Sequence, residues 1–220
     1  MTHGLDLVRA RIVRAAGRSG RDPGGVRLVI VGKGQEPARL RELYEHGHRD
    51  FGENRAQELA AKAEQMPADV VWHFIGPLQS NKVRVIRPVV DFLHSLDRLE
   101  LATAWMKGPG LPPPAFLQIN IGNEPQKQGV SPERAPQVVD ALTGLGVPLL
   151  GLMAIPPIAD DPERSRPYYR KMTDLLADLA RSHPHLTELS MGMSDDFEVA
   201  VEEGSTCLRV GRAIFASTEH

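Results

Sequence analysis

The chain has 220 residues, 41% hydrophobic and 25% charged, with a formal charge of −2 at pH 7. That length supports one sizeable core, and the near-neutral balance gives no general electrostatic reason to expect nucleic acid or an acidic membrane surface as partner. The single cysteine, Cys207, excludes an internal disulfide and suits a small core residue better than a nucleophile, while residues 1–6 lack a signal peptide's basic start and no apolar run approaches the ~20 residues of a membrane span, so a soluble cytoplasmic protein is expected.

In chain order, an opening helix over residues 5–16 carries Leu5, Val8, Ile12 and Ala15 or Ala16 at helical spacing. The first strand, 26–33, is an apolar run closed by Lys33 between Gly32 and Gly34. A lysine there, with no bulky neighbour, can meet a small ligand, and partial desolvation would favour the neutral amine that attacks a carbonyl. Taken alone, that stretch reads more plainly as a lysine whose ammonium reaches water. A helix over 37–46, a strand over 50–52, a helix over 55–65 and a strand over 70–75 follow. Next come a helix over 80–86, a strand over 89–93 and a helix over 98–106 with Asp97 as its cap. The strand over 115–121 places Gln118 and Asn120 on one face, and Ser131-Pro132-Glu133 opens a helix over 132–142. Strands over 149–154, 186–190 and 207–210, separated by helices over 166–182 and 195–203, complete the chain.

Short apolar strands alternating with amphipathic helices predict right-handed βαβ units and a parallel sheet buried on both faces. Eight units favour an α/β fold of one closed (β/α)8 barrel of the TIM type with an additional N-terminal helix, a single domain over 1–220. A doubly wound open sheet is the runner-up, but Gly32-Lys33-Gly34 lacks the third glycine of a dinucleotide fingerprint. Pro-rich stretches at 107–114 and 155–167 read as loops within the barrel.

A closed parallel barrel gathers its strand ends on one face, where ligand sites are built. The turn Gly192 to Ser194 before a helix, and Gly211-Arg212 after the last strand, offer backbone N–H groups, a hydroxyl and a guanidinium suited to a phosphate dianion. The plainer roles are a helix cap for Ser194 and a turn for Gly211. Arg209, between Leu208 and Val210, is sent by alternation to the opposite face, and an arginine inside a barrel needs a partner. Beneath a phosphorylated pyridine it would keep the ring nitrogen unprotonated and weaken the ring as an electron sink.

The blocks Phe51-Gly52-Glu53-Asn54, His73-Phe74-Ile75-Gly76-Pro77-Leu78-Gln79-Ser80-Asn81-Lys82, Gly151-Leu152-Met153-Ala154-Ile155-Pro156 and Ser190-Met191-Gly192-Met193-Ser194-Asp195-Asp196 resemble the pyridoxal phosphate homeostasis protein family, also called the YggS or proline synthase co-transcribed family. The resemblance implies a stand-alone barrel similar to the amino-terminal domain of alanine racemase. It also implies that Lys33 holds pyridoxal 5′-phosphate as a Schiff base, that Arg209 faces the pyridine nitrogen, that Asn54 lies near the ring, and that Ser194, Gly211 and Arg212 hold the phosphate. The implied role is intracellular vitamin B6 homeostasis without an established catalytic reaction, with recipient pyridoxal phosphate-dependent enzymes as partners. Three departures stand out. Gly32 and Gly34 replace hydroxyl-bearing residues beside the lysine, Arg212 stands where threonine or serine is common, and Ala216-Ser217 follows Phe215 where glycine is common.

Remaining candidates carry less. The pairs His46 with His48 and His183 with His185 read as exposed loop histidines without a third metal ligand, so no metal site is expected. His73 is read as making a structural hydrogen bond, Asp195-Asp196 as favouring a helix dipole, and Trp72 with Phe74 as packing outside the barrel. The alternative is a pyridoxal phosphate-dependent amino-acid racemase or related enzyme, which needs acid and base groups on both faces of the substrate carbon. Tyr44, Tyr168 and Tyr169 all fall in predicted helices, so the sequence supplies a cofactor anchor and no persuasive second catalytic group. No extended apolar stripe is evident, and a monomer is expected.

Overall fold

The structure is a computed structural model that describes residues 2–216, so Ser217 lies outside the described residues. Eight parallel strands close into a barrel in sequential order. They are β1 (Arg27–Val31), β2 (Asp50–Glu53), β3 (Val71–Phe74), β4 (Phe92–Leu96), β5 (Ala115–Ile119), β6 (Leu149–Ala154), β7 (Glu188–Ser190) and β8 (Cys207–Val210). The seam closes by pairing β1 with β8, Leu28 opposite Leu208 and Val29 opposite Arg209. The helices are α1 (Thr2–Arg18), α2 (Pro37–Glu45), α3 (Ala56–Ala63), α4 (Val83–Ile86), α5 (Leu99–Met106), α6 (Ala135–Gly144), α7 (Arg166–Ala180), α8 (Phe197–Glu202) and α9 (Arg212–Phe215). None of the described helices is long and apolar enough to cross a membrane.

The main core lies between barrel and helices. Leu28 and Ile30 of β1, Phe51 of β2, Trp72 and Phe74 of β3 and Leu208 and Val210 of β8 point outward into it, as period-two alternation requires. Helix α1 buries Leu5, Val8, Ile12, Ala15 and Ala16 and is tied to α8 by Arg11–Glu198 at 3.0 Å and Arg18–Glu202 at 2.6 Å. A side chain at Gly4 would run into the Ile214 carbonyl, so glycine sets how closely α1 approaches α9.

The inward-facing positions are unusual. Barrels of this kind usually fill with branched apolar residues, whereas this interior holds His73, His94, Ser190 and Arg209 beside Phe92 and Phe116. Gly52 belongs to the same layer, because a Cβ there would lie 2.9 Å from Val29 Cγ1.

Most element ends differ from the sequence reading by a few residues, and two of the differences bear on the site. The first strand stops at Val31, and Gly32 to Gln35 form a turn in which the Gln35 amide donates to the Gly32 carbonyl at 2.9 Å. Gly34, at φ +70°, supplies the left-handed residue that a type II turn needs at its third position. The fourth strand lies at 92–96 in place of 89–93. Val89 and Val90 instead finish a helical turn by donating to the Ile86 carbonyl, while polar His94 and Ser95 enter the strand because the interior offers His94 partners.

Candidate functional site

Lys33 sits at the second position of the turn after β1, on the carboxyl rim, and its side chain is exposed. The partial desolvation expected from a strand-end position is therefore not provided by surrounding protein atoms. Its ammonium has no hydrogen-bond or ion-pair partner among the described residues, which leaves the amine available.

Neighbouring strands bring three other predicted residues to the same rim. Val31 lies opposite Gly52, so Asn54, immediately after β2, flanks the Lys33 turn. Asn54 is held by a close backbone approach, since any side chain at Gly76 would collide with its carbonyl. Its Oδ1 is buried and has no hydrogen-bond partner. On the other side of β1, a Cβ on Gly211 would lie 3.0 Å from the Val31 carbonyl oxygen, which puts the loop after β8 against the end of β1. Ser194 accepts a hydrogen bond from the Ala213 amide at 3.2 Å, joining the loop after β7 to the start of α9. Ser194 is thus not a helix cap: α8 begins at Phe197 after Asp196.

Arg209 points into the barrel and is 4% exposed. One terminal nitrogen donates to Ser190 Oγ at 2.5 Å and the other to the Ala154 carbonyl at 3.0 Å. Burial pulls its pKa below the ordinary guanidinium value. Arg212 stands apart from the others. Its side chain is exposed and paired with Asp195 at the outer rim.

Several supporting roles escaped the sequence reading. Asp196 is buried; its Oδ1 accepts from the Met193 amide at 2.8 Å, and its Oδ2 from Ser165 Oγ at 3.0 Å and from Tyr169 Oη at 2.7 Å. It therefore fastens the Gly192 to Ser194 loop to α7, a more specific role than favouring a helix dipole. Burial, with Asp196 alongside, pushes the Tyr169 hydroxyl well above its ordinary pKa. Beneath the Lys33 turn, Lys62 Nζ pairs with buried Glu53 and donates to the Gly32 carbonyl at 2.7 Å. Burial raises the Glu53 pKa above the usual carboxylate value even with Lys62 beside it. Only the position of Glu53, next to Asn54 in a sequence block, signalled this pair.

His48 and His183 correct the expectation of exposed loop histidines. His48 is 6% exposed, with Nε2 2.8 Å from the Asp50 carbonyl, and burial lowers its pKa to about 4. The His183 side chain is 13% exposed, its Nε2 2.9 Å from Asp140. No group of three or more potential ligand side chains among the described residues is placed to hold a metal ion. Gln118 and Asn120 spend their amides on the carbonyls of Gln128, Glu124 and Lys127, pinning the loop after β5. An open cavity of about 220 Å³ lies there, lined in part by Ile75, Gln118, Asn120 and Ile155.

A closed parallel barrel with an inward arginine on its last strand and an accessible lysine after its first defines the class. Residues 9–219 match the family described as "Alanine racemase, N-terminal domain". The pyridoxal phosphate homeostasis protein of Aquifex aeolicus is 40% identical over 222 residues, covering 98% of this chain and 97% of its own. That of Pseudomonas aeruginosa is 42% identical over 218 residues, covering 97% and 94%. The structure of PipY from Synechococcus elongatus with PLP bound superposes with a TM-score of 0.79 at 35% identity, over 93% of this chain and 99% of that one. The chain belongs to the pyridoxal phosphate homeostasis protein family, within the alanine racemase N-terminal domain family.

Proposed function

We propose that this chain binds pyridoxal 5′-phosphate reversibly through Lys33 and serves intracellular vitamin B6 homeostasis as a cytoplasmic, monomeric carrier that presents the cofactor to enzymes needing it. The observation that carries the reading is the meeting, on one rim, of the unpartnered Lys33 amine, the orphaned Asn54 Oδ1 and the Ser194–Ala213 junction, with Arg209 inside the barrel below. These groups fit an aldehyde, a pyridine ring and a phosphate. When bound, the cofactor supplies an aldehyde carbon that a neutral amine attacks to give a Schiff base with loss of water.

Lys33 provides that amine from a turn whose geometry is set by Gly34 and by the Lys62 contact to Gly32. Arg209, a permanent cation that can only donate, would face the pyridine nitrogen and keep it free of a proton. Asn54 Oδ1 would lie beside the ring, and the loops bearing Ser194, Gly211 and the Arg212 backbone would hold the phosphate. The Arg212 side chain stays with Asp195 outside this set. Catalysis at the substrate carbon would need a second acid or base opposite Lys33. The most deeply buried tyrosine, Tyr169, already commits its hydroxyl to Asp196, which favours holding the cofactor over turning over an amino acid.

The test is to titrate purified protein with pyridoxal phosphate, reduce with borohydride and map the modified peptide. An absorbance band of the bound cofactor and modification at Lys33, both lost in Lys33→Ala, are expected; a spectrum unchanged from that of free pyridoxal phosphate, or labelling spread over surface lysines, overturns the reading. Incubating the loaded protein with amino acids in deuterated water separates carrier from enzyme, because exchange at Cα with turnover would establish catalysis. Sedimentation in solution checks the monomer.

A further inference from the structure

Arg209 lies in the barrel with no carboxylate in hydrogen-bond contact, an arrangement that is costly unless a counter-charge reaches it. A continuous row of side chains leads from it to the opposite end of the barrel. Ser190 Oγ, which accepts from Arg209, is 2.7 Å from His94 Nδ1. His94 Nε2 is 2.9 Å from His73 Nδ1, and His73 Nε2 is 3.1 Å from Asp50 Oδ1. Ser190, His94 and His73 are fully buried, while the Asp50 side chain, at the amino end of β2, is 26% exposed. Phe92 stacks on His73 and Phe116 on His94, with centroids 4.7 and 4.5 Å apart, which fixes both ring planes.

The two ends dictate where every proton sits. Burial lowers the pKa of both imidazoles, so each carries a single N–H. The Asp50 carboxylate can only accept, so His73 Nε2 donates and His73 Nδ1 accepts. His94 Nε2 therefore donates and its Nδ1 accepts, which requires the Ser190 hydroxyl to donate to His94. The serine lone pair then receives Arg209, which can only donate. The reverse arrangement would set a lone pair of His73 against the carboxylate. Each N–H and O–H consequently points from the guanidinium toward the carboxylate, the sense in which aligned dipoles lower the energy of both end charges.

We propose that Asp50 is the counter-charge of Arg209, coupled to it through the one-way chain Ser190–His94–His73, and that these four residues are positioning residues for the guanidinium facing the cofactor ring. The ring-facing role rests on the cofactor reading above; the direction of the chain does not. Two other charges bear on the assignment. Arg27 reaches Asp50 Oδ1 at 3.7 Å from a half-exposed position, and Asp196 is the carboxylate that acts on Arg209 directly through space, though its oxygens are already taken by Met193, Ser165 and Tyr169.

Side-chain nitrogen NMR of the cofactor-free protein at neutral pH tests the chain with no substitution. His73 and His94 are both expected as neutral tautomers with the proton on Nε2; an Nδ1–H tautomer or an imidazolium at either position overturns the chain. The coupling is tested by Asp50→Asn, Ser190→Ala and their combination, with Asp196→Asn for comparison, reading the Arg209 guanidinium signals and the pyridoxal phosphate dissociation constant. Asp50→Asn is expected to shift the Arg209 signals and weaken retention about tenfold, and to add nothing once Ser190→Ala has cut the chain. Additive effects, or an Arg209 response to Asp196→Asn alone, overturn Asp50 as the counter-charge. If the unsubstituted protein fails to bind the cofactor, the cofactor reading falls, while the tautomers and the Arg209 signals still decide the chain.

Discussion

At the scale of single residues, the rim depends on side chains that never point at a ligand. Asp196 is a buried carboxylate satisfied by three donors, one of them the Tyr169 hydroxyl at 2.7 Å. Tyr169→Phe removes that donor and leaves the carboxylate underpaired, so unfolding in urea should occur earlier by about 1–3 kcal/mol. The loop carrying Ser194 should release pyridoxal phosphate faster as well; unchanged unfolding and release would show that Ser165 and Met193 suffice. The Glu53–Lys62 pair makes a sharper case, because both members are buried. Lys62→Met strands the carboxylate and should cost about 3–5 kcal/mol, most of it recovered by adding Glu53→Gln. A double variant as weak as the single one would place the effect in lost packing. Neither arrangement was legible from the chain: aspartate at a helix start and lysine in a helix have common solvated roles, and only the fold reveals that Asp196 and Lys62 are buried.

At the scale of elements, the order and type of all eight strands could be read from apolar runs, because a strand covered on both faces is apolar along its length. The fourth strand was the exception for the same reason. His94 and Ser95 break the apolar pattern, and the reading slid back onto Val89 and Val90, which belong to the preceding helical turn. Inward polarity is what hid the strand and, through Ser190 and His73, most of the interior network. Arg209 was the one inward polar residue that alternation between Leu208 and Val210 disclosed. Helix α1 was legible from spacing, but its fit against α9 was not. Gly4→Ala gains up to about 1 kcal/mol of helix propensity, yet its methyl would meet the Ile214 carbonyl. A net loss of stability in thermal unfolding is therefore expected, with weaker phosphate retention because α9 follows directly on Gly211. A stabilised Gly4→Ala protein would mean that α1 shifts freely and does not brace the phosphate loop.

At the scale of the whole molecule, three histidines, His48, His73 and His94, are buried at or just below the barrel interior, and all three have pKa values lowered by burial. An unfolded chain takes up their protons near the ordinary value of 6.5, whereas the folded chain holds all three neutral below it, His94 well below; for His48 the folded value is about 4. Between those limits the unfolded state binds more protons, so stability rises with pH and is progressively lost as pH falls below 6.5. Each histidine contributes a slope of up to about 1.4 kcal/mol per pH unit in that window. Asp50 acts lower: its pKa is depressed below 3.8 by the His73 hydrogen bond and the Arg27 cation acting against burial, so its contribution is lost only in stronger acid. Urea unfolding measured from pH 7 to pH 4.5 should therefore show falling stability that begins above the range in which ordinary carboxylates titrate. His48→Gln, which lies outside the Arg209 chain, should reduce the slope by about one histidine's share while leaving cofactor binding intact. A flat profile across that range would mean that the interior imidazoles take up protons in step with the unfolded chain, and the buried cationic pair that His73 and His94, 2.9 Å apart, would then form in acid could not sit beneath Arg209 without a second counter-charge.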